Sequence, residues 1–402
     1  MAINIISCIR GFYSGELLVN NLIFNIVNLI FFYLVGQFAL VLEKKNKITS
    51  SLYLGILFYA VIDVFLLYSS TPLLGFQSET IFDNESAGSI NSLATFFGFQ
   101  SNRVIFPLAS FSWGATHLGS IIGIIYVASW ISVIYTTLDN KSRFFKHTFK
   151  NFFWFAIHFV SIVVSFWIMI LADSRAAFFS SFISVSTFLI LKFLLIRLSF
   201  IKVILKHVPH FFISFYLFNF LYMYFKDFLA YILETTNLYR GDNTSAFSYR
   251  DIIWDSVLKF LAEFSTEHII GYGVWGQYVA GINKSYESLL FSNFTSDHFT
   301  LHSTILQQLI DTGYLGIFVY ISLTFFVLKS SAIMFFKKIS YNSNYPQSDL
   351  PIFSSVANLG VLFYLIMVGS ADPVITIERL FSMNIYIILV MCSLTSVPSN
   401  AR

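Results

Sequence analysis

The chain has 402 residues, of which 56% are hydrophobic and 11% are charged. Soluble domains carry about 25% charged residues, so this chain has too few to coat a water-facing surface, and a soluble globular protein is excluded. A net charge of +3 gives no reason to expect a nucleic-acid partner. Cys8 and Cys392, the only cysteines, stand at opposite ends of the chain and exclude a disulfide scaffold, a CxxC redox pair and a cysteine zinc site.

Apolar blocks recur along the chain, each about as long as the 20 residues that a helix needs to cross a bilayer. They lie at residues 22–42, 52–68, 104–135, 152–171, 176–195, 208–225, 313–328, 352–369 and 380–396. Because lipid offers no hydrogen-bond partner to the backbone, long continuous apolar blocks can only be helices. The pattern predicts an all-α, polytopic integral membrane protein with about 9 to 12 transmembrane helices.

Lysine and arginine collect in one set of alternate loops, which predicts that these loops face the cytoplasm. The basic residues of this set are Lys44, Lys45, Lys47, Lys141, Arg143, Lys146, Lys150, Lys192, Arg197, Lys202, Lys206, Lys329, Lys337 and Lys338. The opposite loops, at 77–103, 173–175, 226–301 and 371–379, then face outward. We therefore expect a single membrane domain over residues 1–402, with 226–301 inserted as one large periplasmic loop.

The predicted outer loop at 226–301 is the only long segment outside the apolar blocks, and loops of this length usually carry function. From Arg250 onward, apolar residues recur at helical spacing, which predicts an amphipathic helix on the bundle or membrane surface. The apolar positions are Ile253, Trp254, Val257, Phe260, Leu261 and Phe264. The segment Gly271-Tyr272-Gly273 is predicted to end that element with a turn.

His302 opens the segment HSTILQQLIDTGYLG, which predicts a short outer-surface helix that ends at Gly313 and turns into the next span. Its apolar stripe consists of Leu301, Ile305, Leu309 and Ile310. A histidine beside a helix N-terminus experiences the positive end of the peptide dipoles, which disfavours the imidazolium. The neutral ring can accept a proton, so His302 is a candidate base. The alternative is an ordinary surface histidine at the membrane interface.

Arginines fall in the predicted outer loops, against the usual direction of the basic bias, and four of them are candidates for ligand binding. They are Arg103, Arg175, Arg250 and Arg379. Guanidinium groups match phosphate oxygens bidentately, so several of them on the outer side indicate an anionic, phosphate-bearing ligand. The alternative is contact with lipid headgroups or pairing with nearby acids. Those acids are Asp173, Asp251, Asp372 and Glu378.

Four motifs in this order resemble the superfamily of O-antigen ligases and O-antigen polymerases. They are Ser174-Arg175 in a turn between spans, Arg250-x-x-x-Trp254, Gly271-Tyr272-Gly273, and His302-Ser303 followed by nine residues, Gly313, two residues and Gly316. The histidine motif is the most specific of them. The resemblance covers residues 103–328, whereas the N-terminal spans match in hydropathy alone.

The resemblance implies glycosyl transfer on the outer face of the bacterial inner membrane, with a donor oligosaccharide linked through pyrophosphate to undecaprenol. It implies that His302 assists deprotonation of the acceptor hydroxyl, and that Arg175 and Arg250 hold the pyrophosphate leaving group. Arg103, Trp254 and Arg379 are the predicted substrate-binding residues. No metal ion or cofactor is expected, since the outer segments hold no DxD-like pair or nucleotide-binding loop. Membrane lipids and a chain-length regulator protein are the further partners.

Three functions remain open at this stage. A polymerase joins lipid-linked repeat units to each other, and the glycine turn together with residues 102–107 favours that branch. A ligase would move the finished polysaccharide onto lipid A core. A transporter of polysaccharide or lipid-linked oligosaccharide would place ionisable residues at mid-membrane, where Asp63, His117 and His158 are the candidates, but an interhelical hydrogen bond explains each of them more simply.

The predicted topology can be tested with fusion reporters. Reporters placed after Lys47, Lys146 and Lys206 should report a cytoplasmic location, because these lysines lie in the basic set of loops. Reporters placed within residues 226–301 should report the outer side. A cytoplasmic signal from 226–301 would remove the basis for an outward-facing active site.

Overall fold

The structure is a computed structural model, and the described residues are 2–13, 19–41, 45–69, 91–99, 101, 104, 106, 115–137, 148–197, 210, 228, 231, 232, 235, 250–286, 300–341, 357–372, 374, 375, 383 and 385–390. Every regular element among these residues is a helix and none is a strand, which confirms the all-α prediction.

Most of the long helices overlap the predicted apolar blocks, and the helix that begins at Arg250 matches the predicted amphipathic segment. In chain order the helices are α1 (Ala2–Tyr13), α2 (Val19–Val41), α3 (Lys45–Ser69), α4 (Ser92–Phe96), α5 (Ala115–Thr137), α6 (Thr148–Leu171), α7 (Arg175–Arg197), α8 (Arg250–Ala262), α9 (Gly276–Val279), α10 (Thr304–Tyr341) and α11 (Ala357–Val368). Two 3₁₀ turns, Thr266–Ile269 and Ile282–Ser285, flank α9.

Within the described residues, five helices are long and apolar enough to cross a membrane, which indicates a membrane-embedded protein. Their apolar stretches are Thr49–Leu67, His117–Ile134, Phe152–Leu171, Arg175–Lys192 and Thr304–Ile333. Shorter apolar stretches, Asn25–Gln37 and Ala357–Val368, occupy two further predicted blocks. Most of the predicted spans at 208–225 and 380–396 lies outside the described residues, so the total number of spans stays a prediction.

The chain divides into two compact units. Unit 1 takes residues 1–37, 213–325 and 369–384, and unit 2 takes the remaining residues, 38–212, 326–368 and 385–402. The histidine motif and the helix that begins at Arg250 belong to unit 1. The turn that carries Arg175 belongs to unit 2. The single membrane domain stays a prediction.

Helix α5 is the centre of unit 2, because α3, α6, α7 and α11 all pack against it. Helix α11 is buried over its whole length, as expected of a helix that is apolar on every side. Polar bonds join these helices. Tyr364 on α11 donates to the Ser120 carbonyl at 2.7 Å, and Ser184 on α7 donates to the Gly360 carbonyl at 3.0 Å. Such bonds satisfy polar groups that would otherwise face hydrocarbon.

One side of α6 exposes a row of phenylalanines to the surroundings. Phe152, Phe155 and Phe159 recur at helical spacing and are 71%, 47% and 58% exposed. A water-facing surface would not favour such a row, whereas a hydrocarbon environment would. The row therefore fits a helix surface that faces lipid.

The predicted amphipathic helix of unit 1 is confirmed as α8, which buries Ile253, Trp254 and Val257. Two details of the prediction are wrong. Phe264 lies beyond the end of α8 and is 71% exposed, so it does not belong to the buried stripe. The turn that begins at Gly271 does not end α8, because the 3₁₀ turn Thr266–Ile269 lies between them.

Candidate functional site

A hydrogen bond from Trp254 joins helix α8 to the histidine segment. Helix α8 begins at Arg250 and carries Trp254 one turn later. The Trp254 indole Nε1 donates to the Leu301 carbonyl at 2.8 Å, and both side chains are buried. Because Leu301 immediately precedes His302, this bond fixes the segment that presents the histidine. Arg250 and His302 are both partly exposed.

His302 takes a left-handed backbone conformation, with φ of 51°. The Ser303 hydroxyl accepts a bond from the Leu306 N–H at 3.5 Å, as an N-cap residue does, and α10 begins at Thr304. The predicted position of His302 beside a helix N-terminus is therefore confirmed. A left-handed conformation costs a non-glycine residue roughly 1–2 kcal/mol, so the surrounding contacts must hold it in place.

The start of α10 is also held by the segment that follows α11. The Thr304 N–H donates to the Gly369 carbonyl at 2.8 Å, and the Thr304 hydroxyl donates to the Asp372 carbonyl at 3.2 Å. The same hydroxyl accepts a bond from the Val374 N–H at 3.0 Å. Residues from the predicted outer loop at 371–379 therefore contact the first turn of the histidine helix.

Gly313 interrupts the helical backbone of α10, with φ of 70° and ψ of −170°. It packs directly against Gly271, which also has a left-handed φ, of 75°. A Cβ atom at Gly271 would collide with the backbone of Thr312 and Gly313, and one at Gly313 would collide with the backbone of His268 and Gly271. The predicted helix end at Gly313 is confirmed as a break, after which α10 continues to Tyr341.

The glycine turn supplies the hydrogen bonds that this break requires. An interrupted helix leaves carbonyls without an intrahelical partner. The Tyr272 N–H donates to the Ile310 carbonyl at 2.8 Å, and the Gly273 N–H donates to the Asp311 carbonyl at 3.0 Å. The turn and the helix break are thus two halves of one backbone contact, although about 40 residues separate them in sequence.

The first part of α10 is buried, so the prediction of a surface helix is wrong. From Thr304 to Gly313 almost every residue is buried. The cause is a hydrophobic cluster contributed by α8, the segment 271–286 and α10 itself. Its buried members are Ile253, Trp254, Val257, Tyr272, Ile282, Tyr286, Leu301, Leu306 and Ile310.

Arg10 connects the N-terminal helix to the glycine turn. Its Nη1 donates to the Gly271 carbonyl. Burial and the nearby Glu267 carboxylate raise the pKa of the Tyr272 phenol, while the Arg10 charge opposes that shift. The phenol therefore stays protonated at neutral pH. Sequence reasoning missed Arg10, because it lies 261 residues before its partner and no motif marks it.

Arg175 begins helix α7 in unit 2, directly after a tight turn. Asp173 in this turn has a left-handed φ of 51°. Its carboxylate accepts bonds from the Ser92 hydroxyl at 2.7 Å and from the Leu93 N–H at 3.0 Å. The predicted turn is therefore confirmed, and the N-terminus of α4 holds it. Arg175 itself is partly exposed.

Three of the six predicted site residues lie in unit 1, namely Arg250, Trp254 and His302, and Arg175 lies in unit 2. Arg103 and Arg379 lie outside the described residues. Sequence reasoning missed Gln277, Gln307 and Asp311, which form a buried polar cluster in unit 1. The only sequence signal was the spacing of Gln307 and Asp311, which places them on one face of a helix. In the part of the chain that the structure describes, no three histidine, cysteine, aspartate or glutamate side chains could hold a metal ion together.

Comparisons with known proteins do not assign a family. No family model, no curated protein and no solved structure matches the chain. The likeness to O-antigen polymerases and ligases therefore depends on the four motifs alone. What the structure adds is the contact between three of those motifs within unit 1.

The contact between the two glycines predicts a specific loss of stability. Gly313→Ala should destabilise the protein by roughly 1–3 kcal/mol, because alanine would adopt a strained φ and collide with the backbone at Gly271. The thermal midpoint of the purified protein in detergent measures the effect. Gly55→Ala is the control, since a Cβ atom at Gly55 meets nothing within 4 Å. Equal midpoints for the two variants would contradict the close contact.

Proposed function

We propose that the chain is a membrane glycosyltransferase that polymerises undecaprenyl-pyrophosphate-linked repeat units of O-antigen on the periplasmic face of the inner membrane. The observation that carries this proposal is the contact between separately identified motifs. The motif that begins at Arg250 reaches the histidine segment through the bond between Trp254 and Leu301. The glycine turn reaches it through backbone bonds to Ile310 and Asp311.

His302 activates the acceptor in this proposal. A neutral ring nitrogen takes the proton of the acceptor hydroxyl while the oxygen attacks the anomeric carbon of the donor sugar. The bond between that carbon and the pyrophosphate oxygen breaks, and undecaprenyl pyrophosphate leaves with the electron pair. A partly exposed histidine at the start of a fixed helix suits this role, since general-base catalysis requires a positioned nitrogen; Nδ1 is buried, which leaves Nε2 as the nitrogen for the acceptor.

Arginine meets the charge that develops on the leaving pyrophosphate. A guanidinium group offers parallel N–H donors that match two phosphate oxygens, and it keeps its charge at every physiological pH. Arg250 is partly exposed at the first position of α8, one turn from the tryptophan that bonds to the histidine segment. Arg175 is assigned the same role by the resemblance. With arginine in this role, the reaction needs no metal ion to stabilise the leaving group.

The apolar helices support a lipid-linked donor. A polyprenyl chain stays in the bilayer, so an enzyme that uses it must present its reactive groups at a membrane surface. Five helices of spanning length in the described part of the chain, with a row of exposed phenylalanines on α6, fit an enzyme embedded in lipid. A transporter is the second class of function. Asp63, His117 and His158 are buried in apolar helices, as mid-membrane groups of a transporter would be.

The first test replaces His302 in a strain that lacks the wild-type chain. His302→Ala should abolish or nearly abolish long-chain product, since a positioned base contributes about 10²- to 10⁴-fold in rate. A lipopolysaccharide gel measures product length. The deletion strain should show core carrying one repeat unit. Bare core would instead indicate a ligase, and an unchanged ladder would reject both enzymes.

His298→Ala is the matched control, because it removes a second imidazole four residues earlier in the chain. We expect it to keep the long ladder. Immunodetection in isolated membranes should show that both variants insert normally. Normal-length polymer from His302→Ala would contradict the catalytic role and reduce the motif to a connector between segments.

The second test asks whether Arg250 acts through geometry or through charge alone. Arg250→Lys keeps the positive charge but loses the bidentate donors, so product length and yield should fall well below wild type. Arg250→Gln, which loses the charge as well, should be at least as severe. The ladder and the level of inserted protein are the measurements. Wild-type activity of the lysine variant would leave Arg250 as a general positive charge only.

A further inference from the structure

The Gln307 amide uses all its hydrogen-bonding groups within unit 1. Its side chain is fully buried. Oε1 accepts a bond from the Leu301 N–H at 3.0 Å. Nε2 donates to Gln277 Oε1 at 3.1 Å and to the Asp311 carboxylate at 3.0 Å and 3.1 Å. The reverse orientation would place the amide nitrogen against the Leu301 N–H, two donors facing each other, so the bonding pattern fixes the amide.

These bonds hold the peptide that precedes His302 from both sides. The Gln307 side chain accepts a bond from the Leu301 N–H, and the Trp254 indole donates a bond to the Leu301 carbonyl. A residue bonded at both polar groups cannot rotate freely about its backbone. The next residue is His302, whose left-handed conformation needs such support. The position of the imidazole therefore depends on Gln307, although no bond joins the two side chains.

Asp311 holds Gln307 in turn. Its Oδ1 accepts from Gln307 Nε2 and also from the Gly276 N–H at 3.0 Å. Gly276 follows Trp275, another residue with a left-handed φ, of 62°. The Asp311 carboxylate therefore supports both the Gln307 side-chain amide and the backbone that follows Trp275. Losing either partner would leave a buried donor or acceptor unsatisfied, which destabilises the arrangement.

We propose that Gln307 and Asp311 form a positioning pair that sets the backbone of His302 for proton abstraction. This inference rests on the proposed function, because it assigns the pair to the base of that reaction. The role assigned to the pair is to position His302 and not to contact the substrate. The pair acts through the backbone of Leu301. It requires three hydrogen bonds: one side chain accepts from the Leu301 N–H, the other accepts from the Gly276 N–H, and one of the two side chains donates to the other.

The same bonds can form when the amide and the carboxylate are exchanged between positions 307 and 311, and this exchange tests the inference. Gln307→Glu keeps the acceptor for Leu301 but sets two carboxylates against each other. Asp311→Asn keeps an acceptor for Gly276 but turns its amide donor toward the donor of Gln307. In the double variant, the glutamate accepts from Leu301 and from the asparagine amide, and the asparagine oxygen accepts from Gly276. The Gln277 amide must also rotate, so that it donates to the glutamate.

We expect each single variant to lower polymer formation at least tenfold and the double variant to restore most of it. Product length is read on lipopolysaccharide gels, and thermal midpoints of the purified proteins report folding. Gln308→Glu, the same change at the neighbouring and partly exposed position, is the control: it loses the bond from Nε2 to the Ile375 carbonyl at 3.3 Å but leaves the bonds of Leu301 intact, so it should keep most of the polymer. Rescue separates positioning from a general need for a buried polar group, since two unrelated structural defects would add.

If the Gln307→Glu strain makes polymer of wild-type length while the His302→Ala strain makes none, this inference is overturned and the proposed function stands. A double variant that stays inactive would also overturn it, whether folded or not, because the exchanged pair offers the same hydrogen bonds. Normal polymer from His302→Ala would instead reject the proposed function itself. The two failures are therefore distinguishable within one set of strains.

Discussion

The backbone contact between Gly271 and Gly313 is the constraint on which the arrangement of unit 1 depends. Helix α10 is interrupted at Gly313, and the freed carbonyls accept bonds from the turn after Gly271. Neither position has room for a Cβ atom. Because the contact is made by backbone atoms, it fixes the height of the turn along α10. The position of the turn along α10 places the Gly276 N–H within hydrogen-bond distance of the Asp311 carboxylate, which also accepts the bond from Gln307.

The same unit places left-handed backbone at two non-glycine residues, Trp275 and His302. Each costs roughly 1–2 kcal/mol, so neither would persist without compensating bonds. Asp311 supports the segment after Trp275, and the Leu301 peptide supports His302. Strain compensated by a buried polar network is typical of segments in which one conformation must be kept. Such compensated strain fits a site whose reactive group must point in a fixed direction.

Local signals in the sequence were enough for α8 and for the break in α10, whereas α1, α4 and α9 were not predicted. Apolar periodicity gave the start of α8 at Arg250, and glycine at the end of an apolar stripe gave the break at Gly313. Burial was predicted less well. Phe264 was assigned to the apolar stripe of the helix, yet it lies beyond the helix end, where α8 gives way to a 3₁₀ turn. The first part of α10 read as amphipathic, yet the segment 271–286 also covers its polar side.

The polar network could not be read from the sequence, because its bonds join residues far apart in the chain. Trp254 meets Leu301 across 47 positions, and Gln307 meets Gln277 across 30. A glutamine in a helix is ordinarily a solvated surface residue, and only its enclosure turns it into a fixed acceptor. Enclosure follows from the contact between the two glycine motifs. The residues that carry the chemical prediction were thus visible as motifs, whereas the residues that hold them became visible only when the motifs were seen to touch.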